Sequence, residues 1–238
     1  MKDTKAVVVL SGGQDSVTVL NLALSEHAEV HCITFDYSQR HAIEILCARE
    51  IAANHDCKHV VVKVDSLRGL VSGALLNTVD DVNQRHSRLT ELPASFVPAR
   101  NAIFLTLAHA YAAEIGATMV YTGVCQTDYS GYPDCRQVFV TALQQALNLG
   151  YHTAIEIITP LMYMTKAETF RMAEALGCLP EIIHDTHTCY NGEHVRLHSW
   201  GYGCGDCAAC QLRKRGFEES LQAKENATVP VNYNLRAR

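Results

Sequence analysis

The chain lacks any apolar run long enough to cross a bilayer, and its first residues do not form the basic-then-apolar pattern of a secretory signal. A cytoplasmic protein with no membrane partner is therefore expected. A surplus of positive charge is also missing. Its 20 Lys and Arg face 25 Asp and Glu, a formal net charge of −5, which argues against a protein built to coat nucleic acid while leaving room for a local basic patch. The ten cysteines lack the secretory context in which such a number forms disulfides. Cys32, Cys47, Cys57 and Cys178 sit singly in apolar segments, as small buried hydrophobes do. With 238 residues, 48% of them hydrophobic, the chain has core enough for one α/β domain and an appendage. A homodimer is compatible with these figures, which do not specify an oligomeric state.

What is present begins at Val7. Val7-Val8-Val9-Leu10 reads as an apolar strand that runs into Ser11-Gly12-Gly13-Gln14-Asp15-Ser16 and then into a helix. Adjacent glycines let the backbone bend and approach an anion, and the free N–H groups of the helix's first turn favour negative charge. Ser11 and Ser16 add hydroxyl donors. The lysine that ends a Walker A loop is absent, which counts against cleavage at the γ-phosphate by that route, and the spacing of a dinucleotide fingerprint is absent too. The plain alternative is a strand-to-helix turn with an N-cap. Asp15 suits a helix start under either reading, and in the functional one it helps to hold the magnesium that accompanies ATP. Ser-Gly-Gly-x-Asp-Ser after a strand resembles the pyrophosphate loop of the N-type ATP pyrophosphatases, which split ATP into AMP and pyrophosphate while adenylating an acceptor oxygen.

Downstream, strands and helices alternate: strands at 5–10, 29–35, 58–64, 118–122 and 155–158, helices at 16–25, 40–55, 100–115, 135–149 and 165–176. The pattern predicts a doubly wound parallel sheet with helices on both faces. Thr165 and Glu168 have the spacing of a capping box, with Gly177 placed for C′. Residues 65–98 break the rhythm as an irregular excursion with one short helix near 67–70. The pattern changes near Leu179, which divides the chain into 1–178, the nucleotide-binding domain, and 179–238, an appendage ending in a loosely held tail. The loops after Leu10, Phe35, Val64 and Thr122 fall at C-terminal ends of presumed parallel strands, where open α/β sheets bind ligands.

Cys189, Cys204, Cys207 and Cys210 follow one another at intervals of fourteen, two and two residues, among glycines at 201, 203 and 205. Four thiolates so spaced can close a tetrahedron around one structural zinc, which would replace a core that this polar segment cannot build. An iron–sulfur cluster is the alternative. Zinc fits better, because the fourth Cys lies far upstream and not just downstream before a proline. Arg213, Lys214 and Arg215 read as the solvated face of a following helix.

From Lys5 to Glu219 the chain resembles the 7-cyano-7-deazaguanine synthases of queuosine precursor biosynthesis. The resemblance rests on residues 10–20 (LSGGQDSVTVL), 35–41 (FDYSQRH), 96–101 (FVPARN), 122–136 (TGVCQTDYSGYPDCR), Thr159-Pro160-Leu161, Lys166-Ala167-Glu168, and Thr188-Cys189-Tyr190 with the three later cysteines. It implies the adenine-nucleotide hydrolase-like sheet and one zinc on the four cysteines. It also implies a reaction that turns 7-carboxy-7-deazaguanine, ammonia and ATP into a nitrile, through an adenylated carboxylate and then an adenylated amide. ATP would bind on Leu10, Ser11, Gly12, Gly13, Gln14, Asp15, Ser16, Val17, Thr18, Val19 and Leu20. Asp134 is a candidate proton acceptor or reader of the guanine-like face, Arg100 and Arg136 are candidate carboxylate or phosphate contacts, and Tyr129 and Tyr132 either stack on the base or pack the loop. A structural ion pair or loop anchor competes with the functional role for Asp134 and both arginines.

Three residues depart from the family pattern: Val17 where Thr is common, Ser38 where Gly is usual and Ala99 where Gly is frequent. Val17 would forfeit a hydroxyl near the phosphates. The interval from Cys189 to Cys204, with His194, Arg196, His198 and Trp200, is longer than usual and reads as an extended hairpin in preference to a partner site. Rival functions are a tRNA sulfur transferase with Cys125 or Cys135 as catalytic thiol, a relative that joins a deazaguanine to a protein amine, and a non-enzymatic zinc module that binds nucleic acid.

Overall fold

The computed structural model describes residues 4–39, 42–71, 73–76, 84–127 and 131–226. Five parallel strands, β1 (Lys5–Val9), β2 (Glu29–Asp36), β3 (Lys58–Lys63), β4 (Met119–Tyr121) and β5 (Glu156–Ile158), form a sheet in the order β3-β2-β1-β4-β5. Ala6, Val7 and Val8 of β1 are fully buried because helices cover both faces of this central strand. Helices α1 (Gln14–Glu26), α2 (Ile43–Asn54), α6 (Lys166–Ala175) and α7 (Leu179–Asp185) pack on one face around Leu20, Ile51 and Phe170. Helices α4 (Arg100–Ile115) and α5 (Gln137–Tyr151) cover the other around Leu105, Ala112 and Val140. A short helix, α3 (Ser66–Leu70), and 3-10 turns at Ala74–Leu76 and Pro133–Cys135 complete this part. Because β1 connects to β2 on one side and pairs with β4 on the other, a crevice opens above their C-terminal ends.

Local signals placed several boundaries well. The helix expected over 100–115 is α4, and α6 opens on the expected capping box: Glu168 N donates to Thr165 Oγ1 at 3.3 Å, and Thr165 N to Glu168 Oε2 at 2.7 Å. Gly177 follows with φ +76°. Of the four cysteines expected to be buried, Cys32, Cys47 and Cys178 are so, whereas Cys57 is only half-buried at the entry to β3. Arg40 and His41 at the start of the expected second helix, residues 72 and 77–83 of the excursion, Tyr129, and the tail from 227 lie outside the described residues.

Beyond α7 come a hairpin of β6 (Leu197–His198) and β7 (Gly201–Tyr202) and the long helix α8 (Ala208–Asn226). The extended interval between Cys189 and Cys204 is therefore a lengthened hairpin. Helix α8 lies along α6, where Phe217 meets Phe170 edge-on with centroids 5.3 Å apart. Their approach is close: a Cβ on Gly216 would stand 2.6 Å from the Cβ of Lys166.

Candidate active site

A cleft of ≈ 340 Å³ lies over the C-terminal ends of β1, β2 and β4, within the size range of small-molecule sites. Its floor is the β1–α1 loop. Gly12 has φ +81°, and a Cβ there would run into the carbonyl of Glu44 and come within 2.9 Å of Ala48 N, so helix α2 presses against the loop and only glycine fits. A Cβ on Gly123, beyond β4, would stand 3.0 Å from Ser16 N. Ser16 Oγ accepts from Ser11 N at 3.1 Å and donates to Gly13 O at 3.0 Å, which fixes the turn before α1. The carboxylate of Asp15 takes both of its short contacts from one ammonium, Lys166 Nζ, at 2.9 and 2.8 Å. Cation and anion thus meet where phosphates would lie.

The expected ATP stretch divides in two. Leu10, Ser11, Gly13, Gln14, Asp15 and Ser16 line the cleft. Val17, Val19 and Leu20 point into the core, and Thr18 donates to the carbonyl of Gln14 at 3.0 Å. Val17, expected near the phosphates, is fully buried in the core cluster that holds Leu10 and Ala48 and does not line the cleft.

The other half of the cleft is aromatic. Phe35 stacks on Phe104 with centroids 4.2 Å apart and planes 11° from parallel, and Tyr37 leans on the same ring. Arg100, first residue of α4, reaches in with its guanidinium 5.8 Å from the centre of the Tyr132 ring. Burial works against that charge, yet Tyr37, Tyr132, Asp134 and Cys135 around it raise its pKa above the ordinary guanidinium value. Glu44, on the first turn of α2, holds Oε1 2.9 Å from Gln39 Nε2. Burial pushes its carboxyl up to about 7, against the opposing pull of Gln39 and Arg100.

The remaining candidates are placed differently. Asp134 is buried, with Oδ2 accepting from Asn101 N at 3.3 Å at the start of α4, and it is absent from the cleft lining. Arg136 is exposed at the N-cap of α5, also outside the lining. Tyr132 donates to Ser95 Oγ at 2.7 Å and packs on Phe96, and one edge of its ring still borders the cleft. Tyr129 lies outside the described residues. Cys125 and Cys135 both border the cleft. Sequence reasoning missed Glu44 and gave Lys166 no role. Glu44 was legible only as a charge within a helical pattern, and Lys166 only as part of the motif Lys166-Ala167-Glu168.

The four Sγ atoms of Cys189, Cys204, Cys207 and Cys210 lie within 4.8 Å of one another, with Cys204–Cys210 at 3.9 Å and Cys189–Cys207 at 4.0 Å. A tetrahedron of sulfurs at zinc's bond length has edges of about 3.8 Å, so these positions suit a metal ion. Cys207 N at 3.3 Å and Asp206 N at 3.4 Å point at Cys204 Sγ, as donors to a thiolate do. The cluster is walled by Trp200, Tyr190 and Phe217.

This region also closes the cleft. Thr188, Cys189, Tyr190, Leu212 and Arg213 form one of its walls, and His187 N donates to Gly12 O at 2.9 Å. Arg213, expected on a solvated face, is instead 1% exposed. It donates to Trp200 O at 2.8 Å, Thr188 Oγ1 at 2.9 Å, Ile182 O at 2.6 Å and Thr186 Oγ1 at 2.9 Å. The helical spacing was read correctly, but the packing of α8 turns this face inward, and burial lowers the Arg213 pKa to about 10.

Comparison with known proteins agrees with this arrangement. Residues 5–221 match the family model described as queuosine biosynthesis protein QueC. A 7-cyano-7-deazaguanine synthase of Helicobacter pylori (strain P12) is 48% identical over 225 residues, covering 94% of this chain and 98% of that protein. One from Wolinella succinogenes is 46% identical over 220 residues, covering 92% and 94% respectively. Among solved structures, a 4-thiouridine synthetase in complex with RNA and ATP superposes with a TM-score of 0.50 at 18% identity, over 94% of this chain and 53% of that one, a likeness of fold. With that match along nearly its whole length, and with the phosphate loop and four-cysteine cluster in place, the chain belongs to the QueC family of queuosine biosynthesis proteins.

Proposed function

We propose that this protein is an ATP-dependent ligase that converts 7-carboxy-7-deazaguanine and ammonia into 7-cyano-7-deazaguanine. One observation carries the reading: an anion-cradling loop and an aromatic pocket with a cationic fork share one cleft in a chain of this family. ATP lies with its phosphates on Ser11 to Ser16, against the N–H groups opening α1, and Val17 to Leu20 hold that loop from the core. Lys166 supplies positive charge beside the leaving pyrophosphate, and Asp15, paired with Lys166 here, would help to hold the magnesium that accompanies ATP. Magnesium, when bound, neutralises phosphate charge.

The substrate carboxylate, positioned by Arg100, attacks the α-phosphorus and pyrophosphate leaves. Ammonia then attacks the acyl carbon, AMP departs and an amide remains. A second ATP adenylates the amide oxygen with release of pyrophosphate, and loss of AMP and of both N–H protons leaves the nitrile. The protein positions and stabilises charge, while ATP supplies the driving force. The four cysteines would hold one zinc ion with every ligand supplied by the protein, and its contribution would be structural. Residues 1–178 act as the ATP-pyrophosphatase domain, and 179–238 as a region whose fold depends on the metal. The protein works in the cytoplasm without nucleic acid, as a homodimer for which exposed Val138 and Leu149, on one side of α5, offer apolar contacts.

The test is to incubate the protein with ATP, magnesium, ammonium and 7-carboxy-7-deazaguanine, and to follow AMP and the nitrile by mass spectrometry. Nitrile with AMP and pyrophosphate supports the reading. AMP formation that stalls at the adenylate or amide moves the acceptor to a protein amine. ATP cleavage stimulated by tRNA and lost in Cys125→Ala or Cys135→Ala moves the function to sulfur transfer.

A further inference from the structure

Two carboxylates line the cleft among the described residues, Asp15 and Glu44. Asp15 is committed to the phosphate loop by its paired contacts with Lys166. Glu44 faces the aromatic half, and its geometry is fixed by a single amide. Gln39 Nε2 donates to Glu44 Oε1 at 2.9 Å and to Phe35 O at 3.4 Å, while Gln39 Oε1 accepts from Tyr37 N at 3.0 Å. That leaves Oε2 of Glu44 with no hydrogen bond among the described residues, on the same wall as the stacked Phe35 and Phe104.

A deazaguanine presents two donors side by side, N1–H and the 2-amino group. A carboxylate presents two acceptors at matching separation. Adenine places an acceptor, N1, beside its amino donor, so an ionised carboxylate repels half of that edge. An aromatic wall with one carboxylate beside it is therefore selective for the guanine-type edge.

We propose that Glu44 is the specificity-determining residue for the base, accepting N1–H and the 2-amino group of the deazaguanine, with Gln39 as the residue that positions it. The inference rests on the synthase reading and deepens it. Asp134, the carboxylate first expected in this role, is turned to Asn101 N and does not border the cleft.

The experiment compares the wild-type protein and Glu44→Gln on two substrates, 7-carboxy-7-deazaguanine and its analogue without the 2-amino group, with affinity for a non-hydrolysable ATP analogue measured in parallel. The wild-type protein is expected to lose about 100-fold in kcat/KM on the analogue, since a buried polar group is left unpaired. Glu44→Gln is expected to lose a similar factor on the full substrate, to discriminate between the two less than about threefold, and to keep its ATP affinity. A wild-type protein indifferent to the 2-amino group would overturn the proposal, and that result needs no variant to fold. Losses that multiply independently in the variant, or a parallel fall in ATP affinity, would overturn it too. Absence of nitrile from wild-type protein and the full substrate sinks the synthase reading itself, and is thereby distinguished.

Discussion

At the scale of single residues, two positions where the resemblance led to an expectation of glycine are places where the backbone is left-handed: Ser38 has φ 57° and Ala99 has φ 62°. A side chain there is strained, and glycine is not. Ala99→Gly is expected to raise stability by about 1 kcal/mol in chemical denaturation. Ser38→Gly should be near neutral, because it forfeits the bond from Ser38 Oγ to Asp65 Oδ1 at 3.1 Å. Glu44 gives a pH signature. Its folded pKa, about 7, lies above the ordinary carboxyl value of 4.5, so on going from pH 4.5 to 7 the unfolded chain releases a proton that the folded chain retains, and stability falls. Thermal melts should show Glu44→Gln more stable than the wild type at pH 8 and equal to it at pH 4. A residue that weakens the fold while facing the cleft is the usual mark of a group retained for function.

At the scale of elements, the sequence made the phosphate loop, α4 and the capped start of α6 legible, since each is specified by neighbours in the chain. It did not make α8 legible. Arg213, Lys214 and Arg215 form a solvated face when read locally, and only the packing of α7, residues 186–188 and Trp200 against α8 buries the first of them. Arg213→Met should therefore leave two threonine hydroxyls and two carbonyls short of a donor, at a cost of at least about 3 kcal/mol, or roughly 10 °C in Tm. Lys214→Met, on the exposed side of the same helix, should change Tm by less than about 2 °C. Glu44 and Lys166 were hidden for the same reason: α2 and α6 carry them to the cleft from residues far from the loop in sequence.

At the scale of the molecule, the cleft is assembled from the sheet's strand ends on one side and the four-cysteine region on the other. Asp15→Ala should abolish nitrile formation while circular dichroism and the melting profile remain those of a folded protein. Cys207→Ser should lose its metal by elemental analysis and unfold at lower temperature, because binding free energy in such a region is largely folding free energy. The bond from His187 N to Gly12 O, two residues before Cys189, ties the shape of the β1–α1 loop to the chain segment that a metal on the four cysteines would organise. A copy of the protein that has not yet received its metal would hold a slack loop and leave ATP intact.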